Sequence, residues 1–411
     1  MAPPQIVAAI FVLTYVGIAL GYIPGLALDR TGIALLGAIA MVAVNAFNAD
    51  QAWQTINVPT VLLLYALMVV SAQFKLSGFY TRIALGINRF IGSPRVFLGA
   101  LMAVAAVLSA LLANDIVCLA FTPVLCLSLL DAGLDPAPFL LGLACASNIG
   151  SAATIIGNPQ NMLIGQVARL QFAKFLLWCA PPSAVSLLGC YFIILLVYRG
   201  GRFRRGSKSG RVLGHHEWPE YDRHQTTKGL LIVAAMAAMF FTPVPRELSA
   251  AVAAGVLLAS RRISTRSILG LVDWHLITLF CALFVVVGAL TKYGLPGQAA
   301  AWLQSRGIDI NKPLALSGIT LVLSNVVSNV PAVMLLLKHM DLGITRNLYI
   351  LALVSTYAGN LTIVGSIANL ITVEQARGFG VKIGFRQHAL VGVPAAVFSM
   401  LAVLGWAALR G

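Results

Sequence analysis

The sequence predicts an all-α polytopic membrane protein built from two inverted repeats, and three observations lead to this fold class. Of the 411 residues, 59% are hydrophobic and 10% are charged, with a mean hydropathy of +0.90. Apolar runs long enough to cross a bilayer recur along the chain, whereas a membrane β-barrel would show short alternating strands. In addition, one polar motif occurs twice within the apolar sequence.

The repeated motif occupies residues 154–169 and 362–377, which lie 208 positions apart. Six of the sixteen aligned pairs are identical, and several others are similar in size and polarity. An earlier polar break is repeated as well, at Asn114 and, 215 positions later, at Asn329. Two matched breaks in the same order in each half are typical of a duplicated transporter whose site lies where the halves meet.

Eight apolar runs are predicted to cross the membrane without interruption: 4–23, 31–47, 58–80, 174–198, 229–244, 248–260, 270–293 and 388–410. The other apolar segments contain polar breaks, and we interpret them as re-entrant hairpins followed by broken helices. The first repeat covers 1–198, with a hairpin at about 95–130 and a broken helix at about 136–169. The second repeat covers 229–411, with a hairpin at about 314–338 and a broken helix at about 347–377.

The basic residues test this topology. If each hairpin returns to its own side, each half crosses the membrane five times, so the two halves are inverted relative to each other. Placing the loop at 199–228 in the cytoplasm puts 19 of the 28 Lys and Arg residues on the cytoplasmic side. This bias follows the positive-inside rule and predicts ten spans, both termini outside and an inner (cell) membrane location.

The loop at 199–228 is the one long polar segment of the chain, and its charge has two interpretations. Its basic side chains could bind anionic lipid, although a connector with topogenic charge is the commoner case. These side chains are Arg202, Arg204, Arg205, Lys208 and Arg211. The same loop holds His215, His216 and His224 among acidic residues, which leaves a metal site there as a weak alternative.

The two predicted hairpin tips carry the first group of candidate site residues. Asn114 lies where one half-helix is expected to end and the next to begin, and so do Ser328 and Asn329. Half-helix N-termini offer free N–H groups to a ligand, and C-termini offer free carbonyls. The asparagine side chains could cap these helix ends, contact substrate or a coupling ion, or do both.

Asp115 is the most specific single candidate for a functional residue, because it lies in the middle of an apolar run. An intramembrane carboxyl group is costly in free energy and is therefore a functional hypothesis by default. It suits proton transfer or the neutralisation of a bound cation. The alternative is that Asp115 is an N-cap of the second half-helix.

The repeated motif carries the second group of candidates. Gly157 and Gly365 would let the backbone leave helical geometry, which would free carbonyls for a cation. The neutral polar residues beside them are Asn158, Asn161, Ser366 and Asn369. A sodium site is accordingly predicted at Asn114, Gly157, Asn329 and Gly365.

Other polar residues of these segments have less specific roles. Thr154 and Thr362 could contact an ion or bond back to their own helix. Ser147 and Asn148 are included as candidates because they precede the first motif within the same segment. Weaker claims belong to Asn360 and to the pair Ser324-Asn325.

Several classes of protein are disfavoured by the sequence. It contains no metalloprotease, P-loop or nucleophile-elbow motif, so we do not expect an enzyme. The net charge of +15 lies mostly in loops between apolar runs, which argues against a nucleic-acid partner. The six cysteines lie in or beside apolar runs, so we expect neither disulfides nor a metal cluster. No cofactor is expected beyond a coupling proton or Na⁺.

A resemblance to a known family rests on motifs in both halves of the chain. These are Ala113-Asn114-Asp115, Thr122-Pro123, Ile156-Gly157-Asn158-Pro159-Gln160-Asn161, Val272-Asp273-Trp274, Ser328-Asn329-Val330-Pro331 and Gly365-Ser366-Ile367-Ala368-Asn369-Leu370. Together they resemble the ArsB/NhaD and citrate-transporter-like superfamily of secondary permeases, and most closely its anion permeases of the YbiR type. The resemblance covers nearly the whole chain. It implies a transporter but no single substrate, because the superfamily moves arsenite, sodium, carboxylates and sulfate.

The hairpin tips depart from the carboxylate transporters of this superfamily, which carry Ser-Asn-Thr at both tips. Here the tips are Ala113-Asn114-Asp115 and Ser328-Asn329-Val330, and the side chain of Val330 cannot form a hydrogen bond. This pattern is closer to the arsenite permeases, because neutral arsenous acid would not be repelled by a carboxylate.

Residues and resemblance together predict a secondary active transporter that moves a small inorganic or organic anion by alternating access, coupled to a proton or sodium gradient. Arsenite or antimonite efflux is the first alternative. A cation/proton antiporter or a passive ion channel is the second, since pores also use re-entrant segments. The lipid bilayer is an expected partner. A homodimer and, for an arsenite pump, a cytoplasmic ATPase are partners that the sequence leaves open.

The charge distribution makes a direct prediction about topology. The substitution Lys208→Cys in a cysteine-free variant should react with an impermeant maleimide only after the cells are opened, because the 199–228 loop is predicted to be cytoplasmic. Cysteines placed beside Met1 and Gly411 are the positive controls for labelling from outside. Labelling of position 208 in intact cells would contradict the assignment.

Overall fold

The computed structural model describes residues 3–21, 25–199, 203 and 220–410. The first half of the described chain contains α1 (Pro4–Leu20), α2 (Arg30–Ala43), α3 (Ala49–Thr55), α4 (Val58–Leu76), α5 (Phe79–Ile87), α6 (Pro94–Leu111), α7 (Asn114–Asp131), α8 (Ala137–Ser151), α9 (Pro159–Val167) and α10 (Phe172–Val197). The second half contains α11 (Arg223–Met239), α12 (Arg246–Leu258), α13 (Thr265–Leu269), α14 (Trp274–Lys292), α15 (Leu295–Ser305), α16 (Pro313–Val327), α17 (Asn329–Leu337), α18 (Thr345–Ala358), α19 (Ile367–Gly378) and α20 (Phe385–Leu409). The predicted all-α fold class is confirmed.

The order of long and short helices in α1–α10 is repeated in α11–α20. Helices α4 and α14 have 19 residues each, and their first residues, Val58 and Trp274, are 216 positions apart. The same shift separates Arg30 and Arg246, the first residues of α2 and α12. The duplication seen in two short motifs of the sequence therefore extends to the helices that precede them.

Matching side chains start the matching helices. Asn57 Oδ1 accepts a hydrogen bond from the backbone N–H of Thr60 at the start of α4, at 3.0 Å. Asp273, 216 positions later, accepts one from the N–H of Leu276 at the start of α14, at 2.9 Å. Each cap pairs an N–H group that has no partner within its helix, and such a cap contributes about 1 kcal/mol.

Four short helices, α3, α5, α13 and α15, were not predicted from the hydropathy. They lie between the membrane-length helices and mix polar with apolar residues, so no apolar run marks them. Local capping signals are present nonetheless. At the start of α3, Asn48 Oδ1 accepts from the N–H of Gln51 at 2.8 Å, and the Gln51 side chain reaches back to the N–H of Asn48.

Within the described residues, six helices are long and apolar enough to cross a membrane: α4, α6, α7, α10, α14 and α20. Shorter apolar helices are α1, α2, α8 and α16. The outer faces of α10 and α20 are apolar, with Leu188 59% and Leu401 63% exposed. A contiguous apolar exterior of this kind is suited to contact with lipid.

The two predicted hairpins differ in the length of their arms. Helices α6 and α7 have 18 residues each, or about 27 Å, and only Leu112 and Ala113 separate them. Helix α17 has nine residues, or about 14 Å, which is too short to cross a hydrocarbon core of about 30 Å. The length of α17 supports re-entrance of the second hairpin. Helix α7 is longer than the half-helix we expected, so re-entrance of the first hairpin stays a prediction.

The two halves pack against each other reciprocally. Helix α2 packs against α14, and its counterpart α12 packs against α4. Likewise α7 packs against α19, and α17 packs against α9. Reciprocal contacts are produced by a two-fold axis, as in an isologous dimer. An inverted repeat requires such a relation, and the direction of the axis relative to the membrane stays a prediction.

Candidate functional site

The repeated motifs meet inside the bundle, where two helices are interrupted. Residues 152–158 separate α8 from α9, and residues 359–366 separate α18 from α19. These segments contain Gly157 and Gly365 and are non-helical apart from one 3-10 turn in the second. The interruptions leave backbone carbonyls without partners in their own helices.

One asparagine holds together the two parts of each interrupted helix. Asn161 Nδ2 donates to the carbonyl of Thr154 at 2.9 Å and reaches two earlier carbonyls at 3.3 and 3.4 Å. Asn369, 208 positions later, donates to the carbonyl of Thr362 at 3.0 Å and to that of Gly359 at 2.7 Å. Carbonyls that we expected to be free for a cation are therefore paired with amide hydrogens. The predicted sodium site stays a prediction.

Close approach of the backbone explains the two motif glycines. A Cβ atom at Gly157 would overlap the backbone of Ser151. A Cβ atom at Gly365 would lie 3.0 Å from Asn325 Oδ1 and 3.1 Å from the carbonyl oxygen of Gly359. Neither motif glycine is among the residues with positive φ. Position 157 therefore requires glycine for space, whereas a side chain at position 365 would be tight and would require its neighbours to move slightly.

Two reciprocal hydrogen bonds join the interrupted helices of opposite halves. Ser366 Oγ donates to Asn148 Oδ1 at 2.9 Å, and Asn158 Nδ2 donates to Thr356 Oγ1 at 3.1 Å. Positions 148 and 356 are 208 apart, and so are positions 158 and 366. The same pair of positions is thus bonded in both directions, which places the two-fold axis of the repeat at this point.

The side chain of Asn148 hydrogen-bonds to three residues of the second half. Its Nδ2 donates to Asn360 Oδ1 at 2.8 Å and to Asn369 Oδ1 at 3.2 Å, and only 2% of the residue is exposed. We define the central cluster by its members, which are Asn148, Asn158, Thr356, Asn360, Ser366 and Asn369. All six are buried and all are uncharged. Among the described residues, no charged side chain hydrogen-bonds to the cluster.

Ser147 connects the first predicted hairpin to helix α8. Its Oγ donates to the carbonyl of Asn114 at 3.1 Å and lies 2.9 Å from Ser109 Oγ of α6. The three groups are buried, so α8 and the start of α7 are held together by polar contacts inside the bundle. Ser147, the neighbour of Asn148 in the chain, therefore positions the backbone of Asn114.

The two motif threonines also bond to the hairpin helices. Thr154 Oγ1 donates to the carbonyl of Ala110 in α6, and Thr362 Oγ1 donates to Asn325 Oδ1 in α16 at 3.2 Å. Ala110 and Asn325 differ by 215 positions, the shift that relates the two hairpin tips. The alternative that these threonines bond back to their own helices is therefore wrong.

The tip residues do not cap their helices. Ala113 is the N-cap of α7 and Ser328 is the N-cap of α17, and neither helix start has a side-chain capping bond. The capping alternative for Asn114, Asp115 and Asn329 is therefore wrong. Asn329 Oδ1 is buried without a hydrogen-bond partner, which leaves it available to a ligand. No hydrogen bond within the described chain joins Asp115 or Asn329 to the central cluster.

Sequence reasoning missed three residues that the structure brings to the site. Thr356 lies 208 positions from Asn148, so the repeat itself could have identified it. Gln160 Nε2 donates to Thr356 Oγ1 at 3.1 Å, and His388 Nε2 lies 3.3 Å from Asn369 Nδ2. His388 belongs to α20, outside both repeated motifs, and no sequence pattern marks it.

Arg246 fixes the far end of helix α9. Its Nη1 donates to the carbonyl of Leu170 at 2.6 Å, and its Nη2 donates to the carbonyl of Gly165 at 2.8 Å. A guanidinium at this position satisfies carbonyls at a helix C-terminus and complements the negative end of the helix dipole. The second half of the chain therefore supports an interrupted helix of the first half.

The basic loop adds nothing to the site within the described chain. The five basic residues named above as possible lipid contacts lie outside the described residues, as do His215, His216 and Glu217. In the part of the chain that the structure describes, no group of three His, Cys, Asp or Glu side chains could hold a metal ion. All six cysteines are free thiols, and five of them are fully buried.

Comparisons with known proteins cover most of the chain. The family model of the citrate transporters, CitMHS, matches residues 9–341. The silicon efflux transporter LSI3 of Oryza sativa subsp. japonica is 28% identical, over 90% of this chain and 91% of that protein. The inner membrane protein YbiR of Escherichia coli (strain K12) is 30% identical, over 88% of this chain and 89% of that protein.

A solved structure is similar in fold. The crystal structure of the YdaH transporter of Alcanivorax borkumensis, described as having an unusual topology, matches with a TM-score of 0.55. The match covers 100% of this chain and 97% of that one, at 13% sequence identity. At this identity the likeness concerns the fold alone.

The geometry of the central cluster predicts the effect of one substitution. Asn148→Ala removes the two bonds to Asn360 and Asn369 and leaves Ser366 Oγ without its acceptor, so the protein should lose about 1–3 kcal/mol of stability. Transport in proteoliposomes should be nearly abolished, because, within the described chain, only the hydrogen bonds to Thr356 still join the interrupted helices of the two halves.

Asn88→Ala is the matched control. Asn88 Nδ2 also donates across helices, to Ser128 Oγ at 2.7 Å, but lies away from the central cluster. Both variants should melt at lower temperature in detergent, while only Asn148→Ala should fail to transport. Equal transport rates in the two variants would show that the cluster is a structural joint with no part in transport.

Proposed function

Because the chain belongs to the citrate transporter family, we propose that it is a secondary active transporter for a small inorganic oxyacid, of the class that includes silicic acid and arsenous acid. That the protein is a multi-pass membrane transporter and not an enzyme follows from the family and its relatives, and confirms those predictions. The resemblance to the citrate-transporter-like superfamily and to YbiR is confirmed as well. The substrate, the coupling ion, the inner membrane location and the orientation of the termini are the proposed part.

The uncharged character of the central cluster is the observation that carries this proposal. Its hydrogen-bonding groups are amides and hydroxyls, each of which can donate or accept. A buried site without a cationic side chain is poorly suited to a multiply charged anion, because the desolvation cost of the anion would not be offset. A neutral solute with several O–H groups matches both the donors and the acceptors.

The chemistry of one relative points to the same class of substrate. The rice protein LSI3 is named a silicon efflux transporter. Silicon dissolves in water as silicic acid, a weak acid that keeps its protons at neutral pH. Arsenous acid is similar in this respect, and it is the substrate implied by the hairpin-tip motif with Asp115. A carboxylate beside the pathway disfavours anions and leaves neutral oxyacids unaffected.

A small anion, the substrate first predicted from the sequence, is the second candidate, and helix dipoles favour it. Helices α9 and α19 begin at Pro159 and Ile367, directly beside the central cluster. Their N-termini present the positive ends of helix dipoles, and the start of α19 has no side-chain cap, so its first N–H groups can hold negative charge without a cationic side chain. Sulfate, phosphate and dicarboxylates are therefore the competing substrates in any test.

Asp115 supports coupling to a proton gradient. The carboxyl is only partly exposed, lies in the first turn of α7 and has no capping role. An intramembrane carboxyl that is not needed for structure can bind and release a proton in each transport cycle. Sodium coupling at the hairpin tips and motif glycines is the alternative.

The test of this function is uptake by the purified protein in proteoliposomes. The panel consists of silicic acid, arsenite, sulfate, phosphate and a dicarboxylate, each with an imposed pH gradient, an imposed sodium gradient or neither. We expect accumulation of silicic or arsenous acid against its own gradient when the coupling gradient is present. Accumulation of only sulfate, phosphate or dicarboxylate would overturn the substrate class. Equilibration without accumulation under every gradient would indicate a channel.

The substitution Asp115→Asn tests whether Asp115 couples transport to the proton gradient or takes no part in coupling. It keeps the shape of the side chain and removes its charge, so accumulation driven by the pH gradient should be lost while downhill exchange continues. Asp131→Asn, at the opposite end of the same helix and exposed, is the control and should behave as the wild type. Normal accumulation by Asp115→Asn would rule out proton coupling through this residue.

A further inference from the structure

His388 is a buried imidazole that contacts the central cluster through one ring nitrogen and leaves the other without a hydrogen-bond partner. It is 1% exposed and lies in the first turn of α20. Its Nε2 is 3.3 Å from Asn369 Nδ2, and its Nδ1 is buried with no hydrogen-bond partner. Buried polar atoms are almost always paired, so an unpaired imidazole nitrogen beside the site requires an explanation.

The bonds of Asn369 determine which nitrogen of His388 carries the proton. An amide nitrogen donates and does not accept, and the two hydrogens of Asn369 Nδ2 already face the carbonyls of Gly359 at 2.7 Å and Thr362 at 3.0 Å. His388 Nε2 can therefore act only as an additional acceptor of those hydrogens. In neutral imidazole the proton then lies on Nδ1, where it has no acceptor.

Asn360 supplies a second unpaired donor in the same place. Its Oδ1 accepts from Asn148 Nδ2 at 2.8 Å, whereas its Nδ2 is buried without a partner. The residue is 0% exposed. An amide of a buried asparagine that uses its oxygen and not its nitrogen has two hydrogens available for an acceptor.

Gly392 brings these two residues together. A Cβ atom at this position would overlap the carbonyl oxygen of Asn360 and would lie 3.0 Å from His388 Nδ1 and 2.7 Å from His388 Cε1. The backbone of Asn360 and the imidazole of His388 therefore both pack against residue 392, where a side chain would not fit. The two unpaired donors belong to these two neighbouring residues.

The first half of the chain lacks this arrangement. Helices α10 and α20 start 213 positions apart, at Phe172 and Phe385, so Phe175 is the counterpart of His388. With the shift of 208 positions that relates the repeated motifs, Ala152 is the counterpart of Asn360. The duplicated frame does not need either polar side chain in order to fold, since its first copy is built without them.

We propose that Asn360 and His388 form an oxygen-binding subsite, in which Asn360 Nδ2 and His388 Nδ1–H donate to one oxygen atom of the transported oxyacid. This inference rests on the proposed function and deepens it, because it assigns the substrate a fixed orientation towards the second half of the chain. An oxygen atom in this subsite satisfies two buried donors at once, and each such bond is gained only when the substrate is present. The subsite excludes solutes whose facing group is apolar or can only donate.

The test is equilibrium binding of arsenous acid and of silicic acid to the purified transporter in detergent, measured by elemental analysis after dialysis. His388→Phe and Asn360→Ala place in the second half the residues that the first half already contains. Each should weaken binding about tenfold, since each removes one donor from a buried oxygen. The double variant should lose less than the product of the two single effects, because the donors share one acceptor.

Two further variants separate this role from structural damage. Ser399→Ala removes a hydroxyl from the same helix that is also fully buried and unpartnered, and it should bind as the wild type does. His388→Gln keeps a donor and should recover part of the affinity lost in His388→Phe. Melting temperatures and gel filtration report whether each variant is folded, and Asn360→Ala alone decides the test if His388→Phe does not fold.

The outcomes distinguish this inference from the proposed function. Wild-type affinity in His388→Phe and Asn360→Ala would overturn the subsite while leaving oxyacid transport intact. If the wild type binds only sulfate, phosphate or a dicarboxylate, the proposed substrate is wrong. The same variants are then measured with that anion: a loss of about tenfold upholds the oxygen-binding subsite, and an unchanged affinity overturns it.

Discussion

The interruptions at 152–158 and 359–366 place backbone carbonyls inside an apolar bundle, and the rest of the structure depends on how those groups are paired. An unpaired carbonyl at membrane depth costs several kcal/mol, so irregular backbone persists there only when side chains satisfy it. Asn161 and Asn369 do this within each half by donating across their own interruption. Because the interruptions are held in place in this way, polar side chains of the two halves can meet. The central cluster is a consequence of how the backbone is satisfied.

The two halves share a backbone plan but differ in the side chains they bring to the centre. The bonds of Ser366 to Asn148 and of Asn158 to Thr356 are related by the repeat and tie the halves together symmetrically. The side chains around these two bonds are not symmetric, because the counterpart of His388 in the first half is aromatic and apolar. The two halves therefore carry a polar ring and an apolar ring at corresponding positions. The proposed oxygen-binding subsite depends on that inequality, because a fully symmetric site would give a small solute no single orientation.

Membership of the citrate transporter family determines the fold and the general activity, while a few side chains determine what is carried. The hairpin tips lack the Thr expected of carboxylate transporters, and Val330 replaces it with a group that cannot form a hydrogen bond. The central cluster is uncharged and buried. The low dielectric of a buried site penalises net charge unless it is paired, and this is the physical basis for proposing a neutral oxyacid as the substrate.

The membrane class, the duplication and most of the residues that meet at the centre, including Asn148, Asn158 and Ser366, could be predicted from the amino-acid sequence. Hydropathy and repeat spacing are properties of the linear chain, and a polar residue in an apolar run is conspicuous wherever it occurs. The packed helices were needed to show which of these residues bond to each other, that Asp115 is not a cap, and that His388 contacts Asn369 from another helix. Those facts depend on which faces of distant helices pack together. Hydropathy records the apolar character of a helix but not the neighbour towards which each side chain points, so the partners became known only from the packed bundle.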